Sequence, residues 1–156
     1  MTGKRTRKVL ICLLVFFGMM PSWIFAEIVK EVAPDGTLTF ASGKKVALVG
    51  IRLDAEGVSV LKAIAVNQDV KVRGADIPAG KSGEYVYAYV HAKSIKFPAL
   101  ADELARYDVV MLNKFLIAFG AARVAEGQVF DQKKEFLKLQ KEAKKKGEGV
   151  WSYEVS

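Results

Sequence analysis

A chain of 156 residues with a formal charge of +7 and a single cysteine is long enough to bury one sizeable core and short for two domains. Its one histidine, His91, excludes any site built from several imidazoles. The charge is unevenly spread: residues 1–26 hold four basic and no acidic side chains, so the rest carries +3, with 20 Lys+Arg against 17 Asp+Glu, less than a dedicated nucleic-acid binder is expected to show.

Lys4, Arg5, Arg7 and Lys8 form a basic head, no charge follows from Val9 to Ala26, and "SWIFA" ends on a small residue before Glu27. This is the pattern of a secretory signal peptide. The favoured reading is export to the periplasm or the outside of the cell, with cleavage after Ala26 and a single domain over residues 27–156. The alternative is an uncleaved membrane anchor through residues 9–26, a stretch that could just span a bilayer although Gly18, Pro21 and Ser22 interrupt it. Cys12 is a poor lipoprotein cysteine, because bulky Ile11 precedes it. Without Cys12 the exported part has no disulfide, and core packing alone must hold it.

From Glu27 the chain reads as strands. "EIVKEVA" (27–33) alternates and stops at Pro34-Asp35-Gly36, a turn signal. "TLTF" (37–40) points Leu38 and Phe40 to one face. "ASGKK" turns again, and "VALVGI" (46–51), apolar on both faces, predicts a central, doubly covered strand. In "VSVLKAIAVNQ" (58–68) Val58, Leu61, Ile64 and Ala65 keep helical spacing. "DVKVRG" (69–74) and the aromatic-rich "EYVYAYVHA" (84–92) predict the fourth and fifth strands. Residues 94–107, polar and broken by Pro98, read as an excursion. "VVMLNKFLIAFGAA" (109–122) predicts a helix stopped near Gly120. "FDQKKEFLKLQKEAKKKG" (130–147) predicts a last helix, capped by Asp131 and ended at Gly147. Three strands, a helix, two strands and two helices is the order of a five-stranded OB-fold barrel.

Several stretches sharpen that reading: "DGTL" at 35–38, "VALVGI" at 46–51, "DAE" at 54–56, "MLNKFLIAFGAARV" at 111–124 and "KEAKKKGEGVWS" at 141–152. On these residues the chain, from 28 to 153, resembles the thermonuclease, or staphylococcal-nuclease-like, family. The most specific are Asn113, Leu116, Gly120 and Ala121, with the closing "EAKKKGEGVW". The resemblance implies an OB-type barrel with three helices and, as the usual activity, calcium-dependent hydrolysis of DNA and RNA phosphodiesters.

That chemistry needs carboxylates holding a hard cation, a carboxylate acting on water, and guanidiniums gripping the phosphate. Held against the family pattern, each position has changed. Gly36 stands where a metal-binding aspartate precedes Thr37, and Asp35, one residue early, reads as a turn residue. Ala47 stands at the arginine of the third strand. The loop Gly-Ile-Asp-Ala-Pro-Glu becomes Gly50-Ile51-Arg52-Leu53-Asp54-Ala55-Glu56, so Arg52 replaces a ligand unless Asp54 and Glu56 are its displaced counterparts. Glu84 stands at the second arginine, with Lys81 nearby lacking a bidentate fork. Removing one transition-state donor costs roughly 10²–10³ in rate.

The reading is therefore an exported, catalytically inactive domain, with no catalytic residues and no metal or other cofactor expected, serving as a binding or envelope-associated module. Its expected partner is nucleic acid or an envelope protein, with contact to membrane only if the leader is uncleaved, and it is expected to be monomeric. One alternative is a weak calcium-dependent nuclease using Asp35 and Asp54 as metal ligands and Glu56, Asp54, Arg52 and Lys81 as catalytic groups. Another is a protein-interaction module acting through residues 94–107. Tyr85, Tyr87 and Tyr89 share a strand face and offer a stacking platform for bases or sugars, against the blander reading that they are barrel core. The lysines of the last helix offer a second contact surface for nucleic acid or anionic lipid, against a merely solvated face.

Overall fold

The structure, a computed structural model, describes residues 24–74, 86–92 and 110–152. The leader up to residue 23, Lys81, Glu84, Tyr85, the Tyr87 side chain and the excursion at 94–107 lie outside them. Among the described residues no helix is long and apolar enough to cross a membrane.

Strands β1 (Ile24–Val32), β2 (Leu38–Phe40) and β3 (Lys45–Leu48) form a meander. Helix α1 (Ala55–Ala65) follows, then β5 (Asp69–Gly74) and β6 (Val86–Ala92). β5 pairs with β1, β6 pairs with β5, and a parallel pairing of β3 with β6 closes the five strands into a barrel. Val29, Leu38, Phe40, Val46, Val70 and Val72 fill it, all at most 1 % exposed. Leu61 and Ile64 of α1 and Leu112 and Leu116 of α2 (Leu112–Ala118) pack onto the same core. Outside the barrel, β7 (Val110–Met111) extends β6, and β4 (Ile51–Arg52) pairs with β8 (Arg123–Val124) as a small ribbon. Helix α3 (Lys133–Lys146) and a closing turn of 3₁₀ helix (Gly149–Trp151) complete the chain. This is an OB-type barrel with three helices, as the strand and helix order predicts.

Five details differ from the sequence reading. Val110 and Met111, expected within a helix over 109–122, form β7 against Ala92 and His91 of β6, and the helix begins at Leu112. β1 begins at Ile24 rather than Glu27, because Phe25 and Ala26 pair with Val72 and Lys71 of β5 and the Phe25 ring meets Phe40 edge-on at 5.9 Å. "VALVGI" is two strands, not one. Gly50 adopts φ +77, and a Cβ there would lie 2.5 Å from the Phe130 ring, so the chain turns and enters the ribbon with β8. Helix α1 starts three residues early, at Ala55, because Asp54 caps it. Conversely, Asp131 caps nothing. The N-cap position of α3 is Gln132, which makes no side-chain cap bond, and the Asp131 carboxylate instead accepts from the Tyr89 hydroxyl and, at 3.4 Å, from Arg73.

Asn113 joins the pieces. Fully buried at the start of α2, its Oδ1 accepts from the Val90 amide at 3.0 Å, and its Nδ2 donates to the carbonyls of Val49 and Ala88 at 3.0 and 3.2 Å. One amide thus ties α2 to β6 and to the turn after β3. Gly120, at φ +66, ends the helix where any side chain would strike the Glu148 carbonyl, 2.1 Å from the Cβ position.

Candidate functional site

Asp35 and Gly36 occupy the turn between β1 and β2. The Asp35 carboxylate accepts from the Thr37 amide at 2.9 Å. That amide, and then the Thr37 hydroxyl, holds the carboxyl below its ordinary pKa. Asp35 is exposed and bonded to its own turn, as the sequence suggests.

The loop before α1 tells the same story. The Asp54 Oδ1 accepts from the Gly57 amide at 2.8 Å, and Asp54 has the extended backbone of an N-cap. Glu56 is exposed in the first turn of α1, where a carboxylate suits the helix N-terminus. Arg52 is exposed on β4, and Ala47 is half-buried on β3, in register with the backbone of Tyr87.

The β1–β2 turn and this loop do meet in space, and an apolar side chain lies between them. A Cβ placed on Gly36 would lie 2.6 Å from Leu53 Cδ1, and one on Gly57 would lie 3.0 Å from Leu53 Cδ2. Gly36 also sits at φ +84, a conformation L side chains rarely adopt. The position at which the family pattern places a metal-binding aspartate therefore has a backbone that favours glycine, with a Leu53 methyl against it. A hard divalent cation needs several converging oxygens. Here Asp35 and Asp54 each serve a local amide, Arg52 adds a positive charge, and no three His, Cys, Asp or Glu side chains among the described residues are grouped to hold a metal ion.

Tyr89, one of the three tyrosines offered for stacking, is core. It is fully buried, its ring stands edge-on to Phe136 at 6.2 Å, and burial followed by the Asp131 carboxylate raises its hydroxyl pKa. A base has no access to that ring. His91 is half-buried, and its pKa is lowered first by burial and then by the Arg73 charge.

The sequence reading passes over Arg123 and the cleft it lines. Arg52 and Arg123 are direct cross-strand partners in the β4–β8 ribbon. Both line a cleft of about 100 Å³ that includes Leu53 and Asp54. Both also line a larger one of about 430 Å³ that reaches Lys144 and Trp151. Only the fold brings positions so far apart in the chain together, so no spacing rule reveals the pair.

Comparison with known families gives a match to the one described as staphylococcal nuclease homologue, over residues 55–153. The matched range is well over half of the chain and starts just after Asp54. Gly36, Ala47 and Arg52 therefore lie outside it. No curated protein matches the chain.

Proposed function

Because the chain belongs to the staphylococcal nuclease homologue family, we propose that it is an exported member that no longer cuts phosphodiesters and acts as a binding or envelope-associated module. The observation that carries this reading is Gly36, which stands where the family pattern has a ligating aspartate but sits at φ +84 with Leu53 Cδ1 2.6 Å from where its Cβ would be. Two further features support it. Asp35 and Asp54 are each engaged by a local backbone amide, and Arg52 stands at a ligand position of the family pattern. The basic, uncharged-then-small pattern of residues 1–26 supports export.

The test is to incubate the purified protein with single-stranded DNA and calcium, and to follow calcium binding by titration calorimetry. No cutting above a protein-free control and no saturable calcium binding are the expected results. Cleavage that chelator or Glu56→Gln abolishes would overturn the reading in favour of a rearranged nuclease.

A further inference from the structure

Helix α3 turns Phe136, Gln140 and Ala143 inward, each at most 8 % exposed. The opposite face carries Lys134, Lys138, Lys141 and Lys145, all exposed. Their spacing of four, three and four residues keeps them within about 60° of arc, in a row roughly 17 Å long. Leu137, 39 % exposed, neighbours Lys134 and Lys141 along the same side. Like charges three and four residues apart weaken a helix, so this row opposes the helix that bears it, and packing of the inner face offsets the cost. The acids of the helix, Glu135 and Glu142, stand to one side of the row, and Glu135 is bonded to Lys114 of α2 at 2.8 Å.

We propose that this face of α3 is a docking surface for an anionic phospholipid bilayer, to which the folded domain adsorbs without inserting. Three features favour a bilayer over a nucleic-acid strand. The row stands on the convex outer side of a helix, which meets a plane, whereas a single strand is tracked by a groove. Its cations are all lysines, point charges suited to a diffuse layer of headgroups, with no guanidinium fork to grip a phosphodiester in pairs. The apolar side chain beside it is aliphatic Leu137, which can touch the headgroup layer but offers no ring for a base to stack on. Because Phe136 and Ala143 stay in the core, α3 cannot roll an apolar side into lipid as a free amphipathic helix does. Each lysine held near an anionic surface strengthens attachment roughly fivefold. The inference rests on the envelope-associated part of the proposed function and names the partner such a module would take.

Lysine footprinting of the full chain tests it. The protein is mixed with vesicles of phosphatidylglycerol or of phosphatidylcholine, acetylated briefly, and read by peptide mass spectrometry. Phosphatidylglycerol should slow acetylation of the four row lysines by about tenfold, phosphatidylcholine should not, and salt at about 0.5 M should erase the difference. Lys30 on β1 and Lys62 on α1, both exposed, should react alike in every sample. The readout is local to each lysine, so attachment of residues 1–23 to both kinds of vesicle does not imitate it. In Lys138→Gln/Lys141→Gln the protection of Lys134 and Lys145 should fall by about fivefold or more, whereas Lys30→Gln/Lys62→Gln should behave as wild type. Equal protection by both lipids, equal protection of Lys30 and Lys62, or no protection would overturn the surface. Protection by a single-stranded oligonucleotide and not by phosphatidylglycerol would overturn it in favour of a nucleic-acid face. Calcium-dependent cutting of DNA by a protein whose row stays protected would overturn the non-cutting reading alone, so the two failures are separable.

Discussion

Asn113 and Asp54 are both short polar side chains bonded to backbone, yet those bonds do different things in the regions around them. From Leu112 to Val124 the chain is largely buried, and Asn113 spends both ends of its amide on three backbone partners. From Asp35 to Glu56 the carboxylates are exposed, and Asp35 and Asp54 each hold one amide of their own turn or helix. In the first region a buried amide joins α2 to β6 and to the turn after β3. In the second, Asp35 and Asp54 each accept an amide as a turn or a helix end asks of any Asp. Family likeness is therefore strongest where packing dictates the residue and weakest where chemistry would.

The sharpest way to break that comparison is Asn113→Ala. The substitution strips the buried Val90 amide and Val49 carbonyl of a partner that water cannot replace, and it should cost about 3 kcal/mol or more. Urea denaturation should show a midpoint well below wild type with an unchanged slope. A loss under about 1 kcal/mol would mean that this amide is not what joins α2 to the barrel, and the contrast with the exposed carboxylates would vanish.

How far the sequence discloses all this depends on the length of the signal. Alternation over "TLTF" and "DVKVRG", and the helical spacing of Leu61 and Ile64, span enough residues to declare themselves, and the barrel follows from them. A two-residue strand has no period, so the β4–β8 ribbon is invisible, and "VALVGI" reads as one strand although Gly50 bends it in two. Asp131 shows the limit of capping rules. Its position beside the helix start is right, but the buried Tyr89 hydroxyl claims the carboxylate first. The departures from the family's pattern of carboxylates and arginines are plain in the letters. That Leu53 lies against both Gly36 and Gly57 is not, because it depends on a turn and a loop meeting across the fold.

Asp54→Ala is the next test in size. Loss of an N-cap costs about 1 kcal/mol, so α1 should fray and the urea midpoint should fall modestly, while any response to calcium stays that of wild type. A variant with unchanged stability and an altered calcium titration would make Asp54 a ligand after all, and would erase the distinction between the two regions.

The smallest effect should come from Asp35→Asn. Asparagine offers the same oxygen to the Thr37 amide, so stability near neutral pH should change by no more than about 0.5 kcal/mol. The difference appears in acid. The Thr37 bonds lower the folded-state pKa of Asp35 beneath its unfolded value of 3.8, so the contribution of the ionised form is complete above that value. It is lost as pH falls through the folded pKa. Asparagine does not titrate, so the gap between wild type and variant should shift in the variant's favour as pH drops from neutrality to about 3, followed by urea midpoints at each pH. A gap that stays constant across that range would mean the Thr37 amide does not prefer the charged form.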